Sequence, residues 1–114
     1  MLIYKILSAT QWAALERDGA TAGAPVDLAD GFVHFSTGKQ VARTAAKHFA
    51  GQAGLMLLAV EAGRLGAALR WEPSRGGELF PHLHATLRRA DVAWARPLPL
   101  GPDGAHVFPE GVEQ

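Results

Sequence analysis

Three stretches of this sequence place polar side chains two residues apart inside segments that otherwise read as strand. They are His34 and Ser36 within Asp30-Gly31-Phe32-Val33-His34-Phe35-Ser36-Thr37, Arg70 and Glu72 within Leu69-Arg70-Trp71-Glu72, and His82 and His84 within Phe80-Pro81-His82-Leu83-His84. Residues i and i+2 of an extended chain share a face, so each pair presents two functional groups to one side while its apolar neighbours face the other. His34 can serve as acid, base, ligand or hydrogen-bond donor near neutral pH, and the Ser36 hydroxyl both donates and accepts. A lone histidine in such a strand is most simply a core side chain with its hydrogen bonds satisfied, and Arg70 with Glu72 an ion pair on an edge strand. The recurrence of the pattern argues for a shared site. His82 and His84 have the spacing to chelate a divalent metal with His34 as a third ligand, but nothing supplies a fourth, so no metal is expected.

The bulk properties restrict what such a site serves. A chain of 114 residues suits a single domain, spanning 1–114, that buries roughly two thirds of its unfolded surface. Eleven basic residues balance eleven acidic ones, so no global field draws in nucleic acid or an anionic membrane. The absence of cysteine removes disulfides, thiolate catalysis and zinc-cysteine sites together, and is compatible with a cytoplasmic protein. Met1 to Leu7 is too short for a signal peptide, and no stretch approaches the roughly 20 apolar residues of a membrane span.

The elements that must position the polar pairs follow from periodicity and punctuation. Leu2 to Leu7 reads as a central strand with Tyr4 and Lys5 on opposite faces. Ser8 and Gln11 match a capping box, which predicts a helix over 9–18 with a stop at Gly19. Thr21 to Asp30, with Gly23, Pro25 and two aspartates, has turn chemistry and no period, so a surface loop is expected that could border a ligand. Thr37 and Gln40 suggest a second cap and a helix over 38–50, whose free amides would lie behind His34 and Ser36 as an anion site. Lys39, Arg43 and Lys47 fall on one face of that helix, where a solvated stripe is the simpler reading and a phosphate contact the sharper one.

Leu55 to Val60 is a continuous apolar run, expected as a strand buried on both faces. Ala62 to Ala67 suggests one helical turn, and Pro73 to Glu78 an exposed loop able to act as a lid. Val92 to Pro97 is the last clear strand, and Asp103-Gly104 is expected to turn a small hairpin that returns His106 and Phe108 to the body. Five or six short strands with two main helices therefore predict an α+β fold with a bent, mainly antiparallel sheet, although the opening strand-helix-strand-helix order also suits a parallel sheet.

The order of these motifs resembles a known family over nearly the whole chain. The Ile3-Tyr4-Lys5-Ile6 strand, the Asp30 to Thr37 stretch, Lys47-His48-Phe49, Leu69-Arg70-Trp71-Glu72-Pro73 and Phe80-Pro81-His82-Leu83 are similar to those of the small bacterial proteins grouped as domain of unknown function 952. That family is similar in fold to the ADP-ribosyltransferases, whose split, strongly bent sheet surrounds an NAD cleft. The His34-to-Thr37 strand leading into a helix looks especially like the RNA 2'-phosphotransferase branch. Where the family usually continues Phe-Pro-His-Leu with Tyr-Gly-Pro-Leu, this chain has His84-Ala85-Thr86-Leu87, a departure that leaves position 84 without an implied role.

The resemblance implies an ADP-ribosyl or related phosphoribosyl transferase that takes NAD as a substrate, or a non-catalytic module binding a nucleotide or phosphometabolite, with an RNA end as a further possible partner. It assigns His34, Ser36, Thr37 and His82 to phosphate or ribose, Arg70 to bidentate phosphate binding and Tyr4 to stacking on a ring. Glu72 would stabilise an oxocarbenium-like cation, with His34 as the other catalytic candidate.

Overall fold

The computed structural model describes residues 1–112. In chain order its elements are β1 (Leu2–Ser8), α1 (Ala9–Asp18), β2 (Ala20–Thr21), α2 (Pro25–Asp30), β3 (Val33–His34), β4 (Ser36–Thr37), α3 (Val41–His48), β5 (Leu55–Glu61), β6 (Leu69–Pro73), β7 (Leu79–Leu83), β8 (Leu87–Arg88) and β9 (Val92–Leu98). The fold is α+β with three helices. The strands form a four-stranded sheet ordered β4-β1-β5-β9, a three-stranded sheet ordered β3-β7-β6 and the two-stranded pair β2-β8. Every pairing is antiparallel, which excludes the parallel arrangement that the opening element order left open.

The apolar run predicted to be buried on both faces is β5, flanked by β1 and β9, with Leu57, Leu58, Ala59 and Val60 fully buried. Alternation sends Leu58 and Val60 into one apolar cluster with Ile3, Leu7, Leu15 and Val33, and Leu57 and Ala59 into a second with Tyr4, Ile6, Val41 and Ala45. Each fully buried Leu, Ile or Val side chain contributes about 1.5–3 kcal/mol, so these two clusters hold the larger sheet between α1 on one side and α3 on the other. The Ser8–Gln11 capping box forms in both directions, and Gly19 ends α1 in the left-handed conformation at φ +80. The small hairpin also forms, with Leu100 bridged to His106 and the His106 Nε2–H donating to the carbonyl of Gln52 at 2.8 Å.

Three expectations need correction. The loop expected over 21–30 contains α2, a six-residue helix with Pro25 in its first turn and Gly31 at φ +84 after its last residue. Six residues are too few to show a helical period, and the Asp27 side chain caps the helix from inside by accepting from the Ala24 amide at 2.7 Å. The strand expected through His34 to Thr37 divides at Phe35: β3 joins β7 in the small sheet, β4 joins β1 in the large one, and the Phe35 amide donates to Pro81 at 3.0 Å. Finally, the helix expected from residue 38 begins at Val41. The Thr37 hydroxyl makes no cap bond, while Gln40 accepts from the Thr37 amide at 3.0 Å and donates to the Leu79 carbonyl at 2.8 Å, which forms a turn before the helix. The helix amides therefore do not begin directly behind Ser36 and Thr37.

Candidate functional site

The division at Phe35 sets the site, because it puts His34 on one sheet and Ser36 on the other, both facing a cavity of about 630 Å³. β1 contributes Tyr4, Lys5 and Ile6 to the wall; α2 and its approach contribute Ala24, Pro25, Val26 and Asp30; α3 and its end contribute Val41, Thr44, His48 and Phe49; and β7 contributes Phe80 and His82. Ser36 and Thr44 share a hydroxyl hydrogen bond of 2.8 Å at this wall.

His34 and His82 occupy the same register position on β3 and β7, with ring centroids 5.4 Å apart. Phe32, two residues before His34 on the same face, packs at 4.5 Å from the His34 ring, 4.2 Å from His82 and 5.1 Å from His84. Behind this cluster Glu72 accepts at one oxygen from both His82 Nδ1, at 2.9 Å, and His84 Nε2, at 2.7 Å. These two bonds, that of His84 first, hold the Glu72 carboxyl below the ordinary glutamate range. His34 and His82 reach the cavity, whereas Phe32, Glu72 and His84 stand behind it.

Beneath His34 lies a fully buried carboxylate that the reading of the sequence missed. Asp27 accepts from Lys5 Nζ at 2.7 Å, from His34 Nδ1 at 2.6 Å, and from the amides of His34 at 2.9 Å and Ala24 at 2.7 Å. Burial alone would raise its pKa, but the His34 bond and the charge and bond of Lys5 outweigh it and hold the carboxyl at about 2. Among the described residues Lys5 has Asp27 as its one counter-ion, and burial pulls its pKa below the ordinary lysine value against that attraction. The other His34 ring nitrogen, Nε2, meets Asp30 Oδ2 at 2.9 Å. The ring thus lies between two carboxylates, hydrogen-bonded to Asp27 through Nδ1 and in close contact with Asp30 at Nε2.

Of the residues assigned from the sequence, Tyr4, His34, Ser36 and His82 line one cavity. Tyr4 is buried against Trp94, with centroids 5.9 Å apart, and burial raises its phenol pKa. Thr37 is tied to Gln40 and lies off the wall. Arg70 is in register with His82 on the outer strand β6, but it is exposed and outside the wall. Glu72 pairs with the two histidines instead of Arg70. Asp27, Lys5, Phe32, Asp30 and Thr44 were missed; the visible signals were a lysine inside an apolar strand and Pro25-x-Asp27 before a glycine, the mark of a self-capped helix start. Among the described residues no group of three or more histidine and acidic side chains is placed to hold a metal ion.

The family model described as "Protein of unknown function (DUF952)" matches residues 6–95. The chain belongs to this family. It is 49% identical to protein CC0527 from Caulobacter crescentus, whose crystal structure superposes with a TM-score of 0.94 over 100% of both chains. The solution structure of CC0527 gives 54% identity and a TM-score of 0.84 over 91% of this chain and 90% of that one. Among curated proteins no match to this DUF952 chain is found.

Proposed function

We propose that this protein takes a nucleotide in the cavity walled by His34 and His82, and that it does so as an ADP-ribosyltransferase-like transferase using NAD. The observation that carries the reading is the meeting of two imidazoles from neighbouring strands at one cavity of ligand size, about 630 Å³. The walls combine what a nucleotide requires. Phe35, Phe49, Phe80 and Tyr4 offer apolar and aromatic surface for a base, while Ser36, Thr44, His34 and His82 offer polar groups for ribose and phosphate. The divided antiparallel sheet supports the resemblance in fold, with the cavity at the division.

In such a transfer the bond between nicotinamide and ribose breaks through a cationic state that fixed negative charge stabilises. Glu72 acts on this site through His82, orienting the ring and lending it charge from behind. The absence of Glu72 from the cavity wall favours a second reading, a non-catalytic module that binds the nucleotide without cleaving it. A cytoplasmic setting, where NAD and RNA ends are both present, belongs to either reading.

Calorimetric titration with NAD, ADP-ribose and a phosphorylated RNA end, together with an assay for released nicotinamide, tests both. Release of nicotinamide supports the transferase, and binding without release supports the module. No heat and no thermal shift with any of the three would remove the basis of both.

A further inference from the structure

The two carboxylates that flank His34 are held very differently. Asp27 is fully buried and receives four hydrogen bonds, so it fixes the ring from below. Asp30 is the last residue of α2, its side chain is 47% exposed, and its one polar contact among the described residues is His34 Nε2 at 2.9 Å. Ion pairs this open to water are weak. Among the described residues Asp30 is also the sole acidic member of the cavity wall, whose other ionisable members are Tyr4, Lys5, His34, His48 and His82.

We propose that Asp30 is a resident stand-in for the anionic group of the ligand. Its carboxylate occupies the position on His34 Nε2 that a phosphate oxygen of the nucleotide takes, and the nucleotide binds by displacing it. A carboxylate oxygen and a phosphate oxygen are alike in size and charge, so either can stand against an imidazole nitrogen, and Asp30 Oδ2 does so at 2.9 Å from Nε2. They cannot share it, because two anions at one donor repel. The exchange leaves the frame of the site in place: Asp27 keeps the Nδ1 bond, Phe32 and His82 keep the ring packed, and Asp30 has solvent to turn into. The apparent affinity of the free protein for a phosphate-bearing ligand is then reduced by the fraction of molecules in which Asp30 occupies Nε2.

This inference rests on the nucleotide reading above, and the test separates the two. ADP-ribose and adenosine are titrated calorimetrically into the wild-type chain and Asp30→Asn, a substitution at a half-exposed position whose folding is checked by its melting curve. The expected result is ADP-ribose binding tightened about two- to sixfold in Asp30→Asn, with adenosine binding unchanged. Equal or weaker ADP-ribose binding in the variant overturns the stand-in and leaves the nucleotide reading intact. Equal tightening for adenosine also overturns it, because the gain would then come from space and not from charge. Binding of neither ligand to either protein overturns the stand-in and the nucleotide reading together.

Discussion

His34 and His82 stand opposite one another across the β3–β7 pair, rings edge to face at 5.4 Å, and each is anchored from behind by a different carboxylate. Asp27 holds the first from a fully buried position and Glu72 holds the second from a half-exposed one, so the two supports should respond differently to substitution.

Asp27→Ala should be among the most damaging single changes in the chain. It strands the Lys5 ammonium in the interior and removes the acceptor for four donors. The expected loss is about 3–5 kcal/mol, because one partner of a buried pair is left uncompensated. Urea unfolding checks it; a loss below about 1 kcal/mol would mean that water replaces the carboxylate.

Acid should destabilise the fold through the same residue. The Asp27 carboxyl sits at about 2 in the folded protein against 3.8 for the unfolded chain. The lowered value means that its stabilisation is complete above about pH 4 and is lost as pH falls through 2, amounting to about 2 kcal/mol. Chemical denaturation at a series of pH values should show this slope, and Asp27→Asn should flatten it.

Glu72→Gln separates support of the site from support of the fold. The carboxylate is partly exposed and makes its two bonds to His82 and His84, so the melting temperature should move little. Nicotinamide release should fall at least tenfold while the Kd for ADP-ribose stays near wild type, the pattern of a group that matters mainly in the transition state. Joint loss of affinity and stability would identify Glu72 as scaffold.

His34→Ala and Arg70→Ala should part company. The family resemblance implies a phosphate role for both, yet His34 lines the cavity and Arg70 is exposed outside it. His34→Ala should weaken ADP-ribose at least tenfold, as loss of a charged hydrogen bond does, and Arg70→Ala less than threefold. Equal losses in calorimetry would bring Arg70 into the site.

Much of this arrangement is legible in the sequence, for identifiable reasons. The Ser8–Gln11 box and the apolar Leu55-to-Val60 run are local signals, and both form. Strand alternation put His34 and His82 each on the polar face of its own segment, but their meeting comes from the register of β3 on β7, which has no local signature. That same alternation runs unbroken through Phe35, where the chain changes sheets, since a change of hydrogen-bonding partner leaves no mark in a two-residue period. Asp27 was hidden for a different reason. A buried aspartate is made tolerable by Lys5, 22 positions earlier, and by His34, and a contact between distant residues has no local signature.

The central claim, a nucleotide cavity at His34 and His82, is tested most directly by following backbone amide resonances of the labelled protein during titration with ADP-ribose. The account expects saturable shifts at His34, Ser36, Thr44, Phe49 and His82, with the exposed stripe of Lys39, Arg43 and Lys47 unchanged. Saturable shifts confined to that stripe, or none at all up to millimolar ligand, would contradict it.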